Sequence, residues 1–297
     1  MPRKLIFLVN PISGTKGKKH IIDTITRTLD SAGIAFEFVN TNADGRFDLI
    51  EKKITEENIR TVVIIGGDGT VSHVTNALRH LPVDFGIIPT GSGNGLALAA
   101  GIPRDPAKAL DIIINGRPSM IDAFTINGHF SCMLSGIGFD AKVAHDFARQ
   151  KKRGLWTYVK VSAANFFNAK TYPFILEIDN KKINTNAYFI SIANSNQFGN
   201  NFTIAPKASL NDGLVDIVVV QKMNKLQVLL SIIYQIRFGD VQESIFKKHG
   251  ILYYQQKNLQ ITNSSMAPLH IDGDPYHSAE KFNIRVIPSA ISLIQPG

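Results

Sequence analysis

Cysteine and tryptophan are almost missing from this chain: 297 residues carry one of each. A lone thiol, Cys132, excludes an internal disulfide and fits a reducing compartment, which predicts a cytoplasmic protein. Set between Phe130 and Met133, it has the surroundings of a small buried hydrophobe rather than a nucleophile. No His/Cys grouping has the spacing of a zinc site. Long hydrophobic runs are absent too. None reaches the roughly 18 residues of a membrane-spanning helix, and the longest candidate, Leu226 to Ile236, is broken by Gln227, Ser231, Tyr234 and Gln235. The N-terminal run Leu5-Ile6-Phe7-Leu8-Val9 lacks a small-residue cleavage site, so it is expected to be a strand and not a secretory signal. Repeats and low-complexity tracts are also lacking. With 44% hydrophobic and 19% charged residues, the composition is that of a globular protein.

Anionic charge is in short supply as well, and the net charge of +8 favours anionic partners: phosphorylated small molecules, acidic membrane or nucleic acid. Nucleic acid has the least support, because the lysines are scattered and no recognition helix or aromatic-basic sheet stands out. Lys151-Lys152-Arg153, followed by Trp156 and Tyr158, fits a solvated face and also a segment at a membrane surface.

The length favours two domains. Up to about residue 122 strand and helix patterns alternate: strands at Leu5–Val9, Ala35–Val39, from Val62 and Phe85–Ile88, and helices at His20–Ala32, Asp48–Glu57, after Gly69, from Asn94 and over Pro106–Ile114, the last capped by Asp105. Alternation of this kind implies a mainly parallel sheet covered by helices. After a boundary near Pro118, strands dominate: Ala123–Ile126, His129–Leu134, Phe174–Ile178, Ala187–Ala193, Val215–Val220, Leu259–Thr262, His270–Ile271 and Phe282–Ile287. Asn127-Gly128 is a hairpin signal between two of them. Helical insertions are expected at Leu155–Phe167 and Lys225–Phe238. The fold class is therefore an α/β N-terminal domain, 1–122, joined to an antiparallel β-sandwich domain, 123–297, whose last residues can return to the first.

The motif richest in chemistry is Thr61-Val62-Val63-Ile64-Ile65-Gly66-Gly67-Asp68-Gly69-Thr70. A β-branched strand runs into glycines around one carboxylate, and a helix pattern follows. Backbone N–H groups and a helix dipole there face an anion, glycines let phosphates approach, and Asp68 is placed to hold the accompanying magnesium. A second loop, Pro89-Thr90-Gly91-Ser92-Gly93-Asn94-Gly95, follows the next strand, with Asn94 as a candidate helix cap. A polar turn, Asn10-Pro11-Ile12-Ser13-Gly14, follows the first. Gly14, Gly17 and Lys18 lack the ending of a Walker A loop, and no G-x-G-x-x-G opens the chain, so a dinucleotide redox enzyme is disfavoured. Further along, Asp212-Gly213-Leu214-Val215-Asp216 and His270-Ile271-Asp272-Gly273-Asp274-Pro275 are acidic turns. They suit plain turn chemistry and also the carboxylates that phosphoryl transfer needs.

Taken in order, Asn10-Pro11-x-Ser13-Gly14, Gly66-Gly67-Asp68-Gly69-Thr70, Gly91-Ser92-Gly93-Asn94, Gly136-x-Gly138-Phe139-Asp140, Asp212-Gly213 and Asp272-Gly273-Asp274 resemble the diacylglycerol kinase catalytic family, which includes bacterial lipid kinases and the sphingosine and ceramide kinases. The resemblance spans nearly the whole chain. It implies ATP- and Mg²⁺-dependent transfer of a γ-phosphoryl group to a lipid hydroxyl, by a protein peripheral to the membrane and possible as a homodimer. By position it implies that Asn10, Pro11, Ser13, Gly14, Thr41, Gly66, Gly67, Asp68, Gly69, Thr70, Val71, His73, Gly91, Ser92 and Asn94 line the nucleotide. Asp68 would act through the catalytic magnesium. The Asp212 side chain, with the carbonyls of Ser209 and Leu214, would hold a structural magnesium. Asp274 would be the general base, with Asp272 sharing that work or serving only as a turn residue, and Asp140 would meet the lipid head group or simply start a helix. The chain departs from the pattern at Gly95, where bacterial members carry a second carboxylate, and at Asp274, where glutamate is usual. Two alternatives remain at this level: a soluble-substrate kinase of the NAD kinase type, disfavoured because Ala77 follows Asn76, and a non-catalytic nucleotide- or lipid-binding relative.

Overall fold

A computed structural model describes residues 4–10, 18–41, 47–148, 150, 164–165, 169–197, 203–222 and 250–297. The first part of the chain runs β1 (Lys4–Val9), α1 (Lys18–Ser31), β2 (Ala35–Asn40), α2 (Asp48–Glu56), β3 (Thr61–Gly66), α3 (Asp68–Leu78), β4 (Asp84–Pro89), α4 (Gly95–Ala99) and α5 (Pro106–Asn115). It continues through β5 (Arg117–Ile126), β6 (His129–Ser131), β7 (Leu134–Gly138), α6 (Phe139–Ala148), β8 (Tyr172–Ile178) and β9 (Lys181–Ala193). The last part comprises β10 (Val215–Gln221), β11 (Ile251–Gln256), β12 (Asn258–Thr262), β13 (Leu269–Ile271), β14 (Asp274–Tyr276) and β15 (Lys281–Gln295). These elements form two compact units, Met1–Ile121 with Ser289–Gly297, and Asp122–Pro288.

The first unit is an α/β layer structure whose parallel strands lie in the order β2-β1-β3-β4. All six residues of β3 are buried, which explains its unbroken β-branched run: a strand covered on both faces has no polar side. The helices close over the sheet through stripes at helical spacing, Ile25 and Leu29 on α1, Ile50 and Ile54 on α2, and Ala109, Leu110 and Ile113 on α5. As expected, Asp105 caps α5, its carboxylate accepting from the Lys108 N–H at 3.0 Å. The chain moves from β1 to β2 on one side and then crosses to β3 on the other. The switch point therefore falls between β1 and β3, and their C-terminal loops flank it. The end of β15 joins the outer side of β4 in parallel, Leu293 opposite Phe85.

The second unit is an antiparallel β-sandwich. β13 pairs with β14 and β7, β7 with β9, β8 with β9 and β12, and β12 with the first half of β15. The long strand β9 pairs with β8 through its first half, while its second half lies between β7 and β10. Phe124, Ile137, Phe174, Leu176, Ile190, Ile217 and Phe282 belong to its core.

Several expected boundaries shift. The strand expected over His129–Leu134 ends at Ser131 as β6, and β7 begins only at Leu134 and runs on to Gly138, because the N–H groups of Cys132, Met133 and Leu134 turn onto the Asp272 carboxylate instead of a ladder. Strand Phe282–Ile287 extends to Gln295 as β15, with Ser289 at φ 49° just after Pro288, where the chain passes between units. Helix α6 opens at Phe139, beside the helix start allowed at Asp140, β14 begins inside the acidic turn expected at Asp272–Pro275, and β11 falls where no element was expected. The helices expected over Leu155–Phe167 and Lys225–Phe238 lie outside the described residues apart from two positions in the first. No helix among the described residues is long and apolar enough to cross a membrane.

Candidate active site

The two glycine loops of the first unit touch through their backbones. A Cβ built on Gly67 would stand 2.9 Å from the Gly91 Cα, and one on Gly91 would stand 2.5 Å from the Gly67 Cα, so neither position has room for a side chain. The Thr90 N–H donates to the Gly66 carbonyl at 2.9 Å, which fastens one loop to the other. Asn94 is corrected here. It occupies the position before α4 but makes no side-chain cap, because its backbone is left-handed and its amide turns back on Gly91, accepting from that N–H at 2.9 Å and donating to that carbonyl at 2.8 Å. The asparagine closes the loop rather than the helix.

Asp68 opens α3 and is half-buried. Gly67, in extended conformation before it, gives the helix no side-chain cap, so the N-terminal amides of α3 have no side-chain acceptor from that position. Asn10, at the end of β1, donates from Nδ2 to the Thr70 Oγ1 at 2.9 Å and so ties the end of β1 to the first turn of α3 across the switch point. Thr41 is buried, its N–H on the Val9 carbonyl at 2.9 Å. Val71 is 2% exposed and packs into the core, whereas His73 and Ser92 are exposed. Pro11, Ser13 and Gly14 lie outside the described residues. Lys18 was visible in the sequence only as a failed Walker lysine. Its ammonium donates to the Asn10 carbonyl, and burial pushes its pKa down.

In the second unit, β13 and β14 form a tight hairpin with Asp272 and Gly273 at its corner, at φ 48° and 88°. The two acids of this turn face different environments. Asp272 is buried and accepts from the Ser131 hydroxyl at 2.7 Å and from the N–H groups of Cys132, Met133 and Leu134 at 3.1–3.2 Å. Asp274 is exposed at the start of β14. Asp140 is in the first turn of α6, as its helix-start alternative holds, and is 5% exposed with Oδ2 3.0 Å from the His270 Nε2. A lipid amine would have to compete with that histidine for the carboxylate. Nothing in the sequence singled out His270, whose partner is 130 residues away.

The loop before β10 gathers oxygen ligands. Asp212 Oδ1 accepts from the Leu214 N–H at 3.0 Å, and the Ser209 hydroxyl donates to Asn211 at 3.1 Å. Asp122, 3% exposed, steadies the loop, accepting from the Gly213 N–H at 2.6 Å while its own N–H donates to the Leu210 carbonyl. Next to it, Asp216 is fully buried. Burial pushes its carboxyl up to about 6, opposed by the hydroxyl that Tyr253 donates to it. Burial and the Asp216 carboxylate both push the Tyr253 hydroxyl well above its ordinary value. Asp216 Oδ2 has no hydrogen-bond partner among the described residues. Asp212 is close enough to act on the Asp216 carboxyl electrostatically, and Gln255 also bears on it, so the loop offers carboxylate oxygens of the kind a hard cation such as Mg²⁺ or Ca²⁺ takes. Among the described residues no three His, Cys, Asp or Glu side chains come together as a metal cage, so such a cation would depend mainly on backbone oxygens. An open groove of about 1090 Å³ on the same unit touches Leu214, Leu259 and Ile284 but is lined mainly by polar residues such as Glu177, Lys182, Gln256 and Arg285, and includes neither Asp140 nor Asp274.

An α/β unit with contacting glycine loops, joined in one chain to an antiparallel sandwich, is the architecture of the diacylglycerol kinase-like class. A crystal structure of a diacylglycerol kinase from Bacillus anthracis matches it with a TM-score of 0.76 at 20% identity, over 99% of this chain and 97% of that one, which speaks to the fold. Residues 4–126 match the diacylglycerol kinase catalytic domain and residues 134–295 the YegS C-terminal NAD kinase beta sandwich-like domain, so the chain belongs to the diacylglycerol kinase and YegS family of lipid kinases. Relatives include the diacylglycerol kinase of Bacillus subtilis, 27% identical over 90% of this chain and 88% of the relative. Another is a protein of Shewanella frigidimarina named "Probable lipid kinase YegS-like", 27% identical over 81% of this chain and 78% of the relative.

Proposed function

We propose that the chain is an ATP- and Mg²⁺-dependent lipid kinase working at a membrane surface. In this reading the phosphates lie against the Gly66–Thr70 and Gly91–Asn94 loops at the N-terminus of α3, with Asn10 and the Lys18 ammonium at the β1 side. Mg²⁺, held through Asp68 and, at a second structural position, by Asp212 with the Ser209 and Leu214 carbonyls, would neutralise phosphate charge. Asp274 takes the proton of the lipid hydroxyl as that oxygen bonds to the γ-phosphorus and the bridging oxygen leaves with ADP. Asp140 remains the candidate for a head-group contact.

The observation that carries this reading is the backbone contact of Gly67 and Gly91 beside Asp68 at the C-terminal ends of neighbouring strands. Neither glycine puts a side chain there, so a polyphosphate can come close to the backbone at the N-terminus of α3, while Asn94 keeps the Gly91 N–H for the loop itself. The commitment of Asp272 to four donors supports Asp274 alone as the base.

The test is phosphorylation of vesicles carrying diacylglycerol, sphingosine or ceramide, with labelled ATP and Mg²⁺. A labelled lipid is expected from at least one acceptor, and no product from any of them rejects the assignment. Asp68→Ala is expected to lower turnover by at least about 100-fold, on the scale of losing a charge-stabilising group. A rate near that of the unmodified chain removes Asp68 from the mechanism. ATP binding without transfer, in both the natural chain and Asp274→Glu, would favour the non-catalytic alternative.

A further inference from the structure

Under the hairpin that carries Asp274 lies a buried polar chain whose histidine has no part in the proposed reaction. His270, on β13, is 1% exposed, and its two ring nitrogens have different partners. Nδ1 accepts from the Gly273 N–H at 3.2 Å, and Nε2 is 3.0 Å from the Asp140 Oδ2. A backbone amide can only donate, so Nδ1 holds the lone pair and the proton sits on Nε2, directed at Asp140. The order is therefore Asp140 carboxylate, His270 imidazole, Gly273 amide, and then Asp274 as the next residue. Gly136 stands opposite His270 in the β7–β13 register. A Cβ on it would fall 2.2 Å from the Asp140 Oδ2 and 2.6 Å from the His270 Nε2, so the pair occupies a space that only a glycine leaves open. A second tie between the same elements runs from the His145 Nε2 to the Leu269 carbonyl at 2.8 Å.

Asp272 fastens the other side of the turn to residues 131–134. The corner is thus held from two directions by buried side chains, while the next acid projects outward. Aspartate has only two side-chain torsions, so the backbone at Gly273 largely decides where its carboxylate can reach.

We propose that His270, oriented by Asp140, is a positioning residue that fixes the Gly273 amide and thereby the placement of the Asp274 carboxylate. This rests on the reading of Asp274 as the general base.

Two histidine variants separate the ring's two bonds. In His270→Asn the amide oxygen falls near Nδ1 and can still accept from Gly273. In His270→Gln the amide nitrogen falls near Nε2 and can still reach Asp140, but the acceptor for Gly273 is lost. Amide hydrogen exchange at Gly273 and steady-state lipid phosphorylation would be measured on the full-length chain, with thermal unfolding as a check that each variant folds. His270→Gln is expected to expose the Gly273 amide and to lower kcat about 10- to 100-fold, the scale of a misplacement near 1 Å, with KM for ATP unchanged. His270→Asn, which keeps an acceptor for Gly273 but loses the bond to Asp140, is expected to keep more of the protection and to lose less kcat than His270→Gln. Unchanged Gly273 exchange in His270→Gln overturns the tether. Faster exchange with unchanged kcat overturns its catalytic purpose. If the natural chain phosphorylates no lipid, the kinase reading fails and takes that purpose with it, while Gly273 exchange still reports separately whether His270 holds the turn.

Discussion

Asp272 and Asp274 stand two positions apart on one hairpin, yet only one has its carboxylate inside the fold. Asp272 gathers three backbone donors and a hydroxyl from residues 131–134, all buried. Removing a buried charged acceptor leaves each donor with its desolvation cost and no bond. Asp272→Ala is therefore expected to lower the unfolding free energy by about 3 kcal/mol or more, read from urea denaturation. Asp274→Ala, on an exposed position, is expected to change stability by less than about 0.5 kcal/mol. Similar losses in the two variants would remove the distinction between an anchoring acid and a working one. The sequence displayed both acids and the turn between them, because Asp-Gly at a hairpin corner is a local signal. It could not separate their tasks, since the donors to Asp272 lie about 140 positions earlier. His270 and Lys18 were illegible for the same reason: each is defined by a contact, and neither belongs to a pattern.

At the scale of elements, periodicity carried most of the first unit. β1, β3, β4 and the helices around them lie where the apolar pattern put them, because each of these strands is an unbroken apolar run buried on both faces and each helix shows one apolar stripe. It worked less well where the local pattern gave way to distant bonding, as in the split of β6 from β7 or the crossing of β15 between units. A charge cluster offers a test of how α2 sits on its sheet. Lys4 on β1 and Lys53 on α2 both pair with Glu37 on β2 and with Glu57 just past α2, at 3.2 and 2.8 Å for the Glu37 contacts. Bonding to Lys53 holds the Glu37 carboxyl below its usual value, as bonding to Lys4 does for Glu57. A carboxylate lowered in the folded state contributes stability above its unfolded pKa, near about 4.3, and that contribution is lost as pH falls through the folded value. These side chains are about a third exposed, so solvent screens the gain. Glu37→Gln is expected to lower Tm by no more than about 3 °C at pH 7. The difference from the natural chain should fade as pH falls below the unfolded value and through the lowered folded one, and should shrink in 1 M salt. A deficit that stays constant across that acid range would mean that Glu37 contributes through packing and not through charge.

The whole molecule folds its first unit from two distant pieces of chain, and this has a measurable consequence. Ser289–Gly297 belongs with residues 1–121, where Leu293 pairs beside Phe85, the Ser292 hydroxyl donates to Asp84 at 2.5 Å, and Ile291, Leu293 and Ile294 are buried. Burial of three such side chains is worth about 1.5–3 kcal/mol each. Their sum is comparable with the total stability of an ordinary domain, about 5–15 kcal/mol. Truncation after Pro288 is therefore expected to leave the first unit unfolded or close to it, with the outer side of β4 open to strand pairing and aggregation. The chain supplies its own optical separation, because its tryptophan and all seven tyrosines lie between Asp122 and Pro288. Near-UV circular dichroism thus follows the tyrosines of the sandwich, while among the described residues α1 to α5 belong to the first unit and contribute their share of the far-UV helical signal. The truncated protein is expected to keep its near-UV spectrum and lose the helical share of α1 to α5, and a fusion of residues 1–121 to 289–297 should recover helix and a cooperative melt that 1–121 alone lacks. A truncated chain that retained full helicity would show that the last strand decorates the sheet instead of completing it.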